Sequence, residues 1–193
     1  MNRRAFIQRA AGLAAAPMIV PASALGLNGA VAPSDLIRFG CIGIGNRARN
    51  VLPYFLSQTE IKFVAVSDCR EDRLKSAKEI MDAHYGNKDC RMYSDFRELL
   101  AQQDIDAVFI ATGDRWHTTA SIYAARAGKD IYSEKPVSMT ISEGRSLVEA
   151  CRRYNAIFQA GTQRRSAGSY RFAAEMVRQG RIGRVHTVEM QVW

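Results

Sequence analysis

The stretch GIGNRA carries the first chemical signal of this chain: Gly43, Gly45 and Ala48 at the spacing G-x-G-x-x-A. An apolar run ends just before it and a helical pattern starts just after. In that setting Gly43 permits a tight turn, Gly45 lets the backbone approach a pyrophosphate, and Ala48 lets the following helix pack closely on the strand. The helix then turns its unpaired N–H groups and positive dipole end toward the phosphates, with Asn46 and Arg47 available for side-chain contacts. Asp68 closes the next apolar run, 23 residues after Gly45, near the distance at which a carboxylate accepts hydrogen bonds from an adenosine ribose. An anion there repels a 2′-phosphate and favours NAD over NADP, although Arg70 works against that preference. A bare tight turn in a non-binding α/β protein would use the same glycines, but it gives no reason for strand, spacing and acid to coincide.

Two further clusters follow. ATGDRWHTTA places Thr112, Trp116 and His117 just after an apolar run, and SEKPVS places Glu134, Lys135 and Pro136 after the next. The carboxyl ends of strands in open α/β sheets face the ligand crevice, so all of these are candidates to line it. A lysine there can donate to a substrate oxygen or, with its pKa lowered by desolvation and nearby positive charge, exchange protons. An exposed loop lysine explains the same letters, and helix-start packing explains Trp116 and His117.

The elements that must hold these residues are legible from periodicity. The segments 36–44, 61–68, 91–93, 106–112, 130–134 and 156–160 predict strands. Between them lie helical patterns: about a dozen residues after the glycine turn, then a helix with Leu74, Ala77, Ile80 and Met81 on one face and Gly86 as its stop. A helix opened by Asp95 with Phe96, Leu99 and Leu100 inward follows, then 116–127, then one capped by Thr140 or Ser142. Strands alternating with helices imply right-handed crossovers and an α/β, doubly wound parallel sheet of the Rossmann kind. Beyond it, 169–179 predicts a helix ended by Gly180. The segment 184–193 alternates with His186, Val188, Met190 and Val192 on one face, the pattern of an open sheet whose other strands are not in the sequence.

The amino terminus reads as an export signal. Arg3 and Arg4 precede Phe6, a small and apolar run from residue 10 to 20 follows, and Ala22-Ser23-Ala24 supplies an A-x-A cleavage site. The paired arginines resemble a twin-arginine signal, with Asn2 and Gln8 as departures from its usual letters. This predicts a signal peptide over 1–24, a linker over 25–35 and a periplasmic protein exported after folding, with no membrane segment once the signal is removed. An amphipathic amino-terminal helix is the alternative, and Pro17 and Pro21 interrupt it.

The 193 residues carry a formal charge of +8, and between Arg152 and Trp193 eight arginines stand against only Glu175 and Glu189. That excess admits nucleic acid, an anionic sugar, cofactor phosphates or an acidic partner, but no nucleic-acid motif accompanies it. Cys41, Cys69, Cys90 and Cys151 form no C-x-x-C, so no metal centre is expected. They read as reduced, small core residues, with Cys41 and Cys69 inside strand patterns.

Together the glycine turn, Asp68, IATGDRWH, EKP, AGTQRR and GRIGRV resemble the glucose-fructose oxidoreductase and inositol dehydrogenase (Gfo/Idh/MocA) family. The resemblance runs from residue 36 to 193, with Gly113 where the family commonly has proline. It implies a dinucleotide-binding domain over 36–160 and the beginning of a truncated substrate and oligomerisation domain over 161–193. Lys135 would sit beside the nicotinamide and the reacting hydroxyl, with the Lys135-Pro136 peptide a candidate for the cis form. Gln163 and Arg164 would line the cofactor and substrate mouth. His117 is carried with Lys135 as a catalytic candidate. The family's second half supplies a large sheet and a D-x-x-x-H motif, neither of which this sequence contains.

The expected function is therefore NAD-dependent hydride transfer at a CH–OH group of a sugar or polyol, with a homo-oligomer possible through the second-domain sheet. The alternatives are an NAD-dependent glycoside hydrolase of the same family and a non-catalytic dinucleotide-binding remnant.

Overall fold

The computed structural model describes residues 21–27 and 31–191. The export signal thus lies outside the described residues up to position 20, and a short 3-10 turn, Ala22–Leu25, precedes the linker.

Strand β1, Ile37–Ile42, runs into the glycine turn and helix α1, Asn46–Leu56. Then come β2, Ile61–Ser67, and α2, Glu71–Tyr85, which ends on Gly86 in the left-handed region at φ 66°. Next are β3, Arg91–Tyr93, α3, Phe96–Leu100, and β4, Ala107–Ile110. Helix α4, Asp114–Arg126, β5, Asp130–Ser133, α5, Ile141–Tyr154, and β6, Phe158–Ala160, complete the sheet region, followed by α6, Gly168–Arg178.

The six described strands are all parallel, in the order β3-β2-β1-β4-β5-β6. One core packs Ala48, Val51 and Leu52 of α1 and Leu74, Ala77 and Met81 of α2 against Phe39, Cys41, Phe63 and Phe109. The opposite core packs Leu99 and Leu100 of α3 and Ala120, Ala124 and Ala125 of α4 against Ile42, Val108, Ile110 and Ile131. Helices on both faces require strands apolar on both sides, and all four residues of β4 are buried. Because the early helices cover one face and the next ones the other, the strand order reverses between β1 and β4, and a crevice opens at the carboxyl ends of those two strands.

Several local expectations need correction. Ile80 is 40% exposed while Leu74, Ala77 and Met81 are buried: the buried stripe follows the 3.6-residue repeat, and Ile80 lies off its edge. Cys69 is exposed, because β2 ends at Ser67 and the thiol falls in the loop beyond it. The four cysteines are otherwise as read, all free, with Cys41 and Cys90 buried. Helix α4 starts earlier than predicted, with Gly113 as its N-cap. The alternating segment after Arg184 forms no strand as far as residue 191, and Val188 and Met190 are exposed. A strand exists only through its ladder, and no described strand pairs with this segment. Val192 and Trp193 lie outside the described residues. Helix α6 buries no side chain among the described residues.

Candidate functional site

The glycine turn is built by contact between the ends of β1 and β4. Gly43 has φ +84°, and a Cβ placed there would lie 2.7 Å from the backbone of Thr112, so conformation and space both require glycine. The Gly43 N–H donates to the Ser67 carbonyl at 2.8 Å, which ties the turn to the end of β2 as well. At Gly45 the situation is different: a Cβ would meet only the end of Arg73, at an ordinary contact distance of 3.8 Å from Nη1. Gly45 is the N-cap of α1, and no side chain caps that helix. The N–H groups of its first turn are therefore left for solvent or a ligand.

Asp68 is 7% exposed and works first on the turn itself. Its Oδ2 accepts the Ile44 N–H at 2.7 Å and its Oδ1 accepts the Arg70 N–H at 2.9 Å. Arg73 Nη1 stands 3.8 Å from Oδ2. Arg70 is turned away, its guanidinium held by Asp72.

A cleft of about 800 Å³ opens over these groups, lined by Gly43, Gly45, Asn46, Arg47, Asp68, Thr112 and Trp116 among the residues read from the sequence. Its far wall was not legible there. Phe96 and Arg97 of α3, Arg73 of α2 and Tyr123 of α4 also line it. Phe96 meets Trp116 and Tyr123 edge-on, with ring centroids 6.5 and 5.8 Å apart, and Trp116 keeps half of its surface exposed. Periodicity marked Phe96 as a core residue and gave no sign of a wall shared between two helices.

Ala48 is fully buried against the sheet and does not line the cleft. Its part is the close packing that brings the α1 terminus onto the turn.

The second group, at the end of β5, lies beside the cleft. Glu134 is 2% exposed. Its Oε1 accepts from Gln163 Nε2 at 2.5 Å and pairs with Arg47 Nη2 at 3.0 Å, while its Oε2 has no partner among the described residues. Gln163 Nε2 also reaches the Tyr132 hydroxyl at 3.2 Å. Lys135 is exposed, makes no ion pair among the described residues, and its peptide to Pro136 is cis.

His117 is 1% exposed and does not line the cleft. Its Nδ1 lies 2.6 Å from the Pro136 carbonyl and its Nε2 lies 3.1 Å from the Thr112 carbonyl. Both partners are acceptors, so each contact is a hydrogen bond only when the nitrogen facing it carries the proton. The neighbouring Thr118 hydroxyl donates to the Val137 carbonyl at 2.8 Å. The first turn of α4 thereby clamps the backbone just after Lys135 to the end of β4.

No group of His, Cys, Asp and Glu side chains suited to a metal ion occurs among the described residues, and no described helix is long and apolar enough to cross a membrane.

Comparison with known proteins agrees with this fold. A family model described as an oxidoreductase family with an NAD-binding Rossmann fold matches residues 37–162. A glycosyl hydrolase family 109 protein of Saccharopolyspora erythraea is 34% identical over 144 residues, 72% of this chain and 31% of that protein. Myo-inositol 2-dehydrogenase of Thermotoga maritima is 27% identical over 154 residues, 80% of this chain and 44% of that one. Among solved structures, scyllo-inositol dehydrogenase from Lactobacillus casei with bound NAD(H) and scyllo-inositol matches with a TM-score of 0.67 at 29% identity, covering 77% of this chain and 42% of that chain. The chain spans less than half the length of each of these relatives.

Proposed function

The chain belongs to the Gfo/Idh/MocA oxidoreductase family, and from that premise we propose that it binds NAD in the cleft at the ends of β1 and β4 and serves hydride transfer at a CH–OH carbon of a sugar or polyol. The observation that carries the reading is the glycine turn: Gly45 lining the cleft, an uncapped helix terminus, and a carboxylate fixed at the end of β2. These are the features a dinucleotide needs for its pyrophosphate and adenosine ribose.

When bound, NAD supplies the hydride acceptor; the chain supplies position and charge. The first-turn N–H groups of α1 and the Arg47 guanidinium would hold the pyrophosphate. Asp68 favours NAD over NADP because its carboxylate repels a 2′-phosphate, and Arg70, engaged by Asp72, does not offset it. Lys135, exposed at the end of β5, holds the substrate hydroxyl and takes its proton. In this reading His117 positions the Lys135 loop instead of exchanging protons itself, since its ring is buried against two carbonyls. The similarity to a glycosyl hydrolase family 109 protein favours a second reading, in which the same site serves glycoside cleavage. The signal read over 1–24 supports a periplasmic location.

Calorimetric titration with NAD and NADP tests the proposal. Saturable NAD binding is expected. Asp68→Asn, which keeps an acceptor for the Ile44 N–H while removing the charge, should narrow the NAD-over-NADP preference by about tenfold, or about 1.4 kcal/mol. A folded sample that binds neither nucleotide overturns the reading.

A further inference from the structure

Arg47 occupies an unusual place for a cation. It lies in the first turn of α1, where the helix dipole disfavours positive charge, and no acidic residue of that turn compensates it. Its partner comes from elsewhere: Glu134, 87 positions later, at the end of β5. Arg47 keeps 44% of its side chain exposed and uses one Nη2 contact for that pair, so other donors of the guanidinium remain for the cleft it lines.

Glu134 is the opposite case. Its side chain is 2% exposed, and Arg47 is the one cation paired with it among the described residues. Its carboxyl group also has little room to move: a Cβ at Gly161 would come within 3.1 Å of Cδ and Oε1, and Gln163 holds the same oxygen from that side. A buried carboxylate so fixed can serve as a reference point for the partly exposed cation paired with it. From Glu134 the chain continues directly into Lys135 and Pro136, and His117 returns the path to Thr112, against which Gly43 packs. The glycine turn is thus joined to the end of β5 by Arg47–Glu134, and His117 ties the lysine loop to Thr112, which packs on Gly43.

We propose that Arg47 and Glu134 act as one positioning unit: Glu134, although outside the cleft, orients the Arg47 guanidinium onto the dinucleotide pyrophosphate and links phosphate binding to the loop that carries Lys135. This deepens the dinucleotide reading and rests on it. Neither residue acts alone; the carboxylate affects nucleotide affinity only through the arginine.

The test is a double-mutant cycle on the affinity for ADP-ribose, which has the pyrophosphate but no nicotinamide, with NAD measured alongside. Arg47→Gln should weaken ADP-ribose binding by about tenfold, Glu134→Gln should weaken it by about fivefold, and the double variant should be no weaker than Arg47→Gln alone. Additive losses, or an effect of Glu134→Gln on NAD but not on ADP-ribose, overturn the proposal, the latter by making Glu134 a direct contact of the nicotinamide end. Should Glu134→Gln not fold, Arg47→Lys decides: lysine keeps the charge but not the fork, so weakened ADP-ribose binding supports orientation and unchanged binding overturns it. Failure of the dinucleotide reading is distinguishable, because the unaltered chain would then bind neither ADP-ribose nor NAD.

Discussion

Lys135 and His117 are both basic side chains at the carboxyl edge of the sheet, and their surroundings give them different work. Lys135 is exposed and carries no ion pair among the described residues, whereas the His117 ring is enclosed between the carbonyls of Pro136 and Thr112. The two should therefore fail differently. Lys135→Met is expected to lower turnover by about 10²–10⁴-fold, while nucleotide affinity stays within about twofold, as for a surface change. His117→Ala should instead cost about 1–3 kcal/mol of stability, because it strands buried acceptors. Urea unfolding read beside nucleotide titration separates the cases, and an unchanged unfolding midpoint for His117→Ala would remove its positioning role. Asp68 shows the same layering at one carboxylate: it props the turn through Ile44 before it can meet a ribose. That is why a substitution preserving its acceptor is more informative than truncation.

Among the described elements, α5 has its start specified more completely than any other helix. Thr140 Oγ1 accepts the Glu143 N–H at 3.2 Å while Glu143 Oε2 accepts the Thr140 N–H at 3.3 Å, a reciprocal capping box, and Glu143 also accepts the Met139 N–H at 2.8 Å. The sequence narrowed the cap to Thr140 or Ser142; the acid three residues after Thr140 is the pattern that separates them. Thr140→Ala is expected to destabilise the domain by about 1 kcal/mol, seen as a lower thermal midpoint with unchanged nucleotide affinity. The site lies away from the cleft, so a loss of affinity would mean that α5 transmits strain to the lysine loop.

At the scale of the whole molecule, the two faces of the sheet hold different titratable baggage. Cys41 and Cys90 are both buried in the core beneath α1 and α2. Burial pushes the Cys90 thiol from 9.0 up to about 11 and pushes Cys41 in the same direction. The folded chain therefore keeps protons that the unfolded chain releases above the ordinary thiol value. Stability contributed by these thiols is full below that value and is lost as pH rises from 9.0 toward about 11. A Cys41→Ala, Cys90→Ala double variant should show a flatter decline of unfolding free energy across that window; an equally steep decline would assign the alkaline loss to other groups. The sequence by itself determined the alternation of strands and helices, the glycine turn, the acid at the end of β2 and the EKP segment, because each is written within a few neighbouring residues whose spacing matches a backbone period. Tertiary structure alone decided the aromatic wall of Phe96, Trp116 and Tyr123, the turn-propping role of Asp68, the burial of His117 and the pairing of Arg47 with Glu134. Each of these depends on which strand ends the crossovers bring together and on which direction a side chain then faces, and local spacing encodes neither.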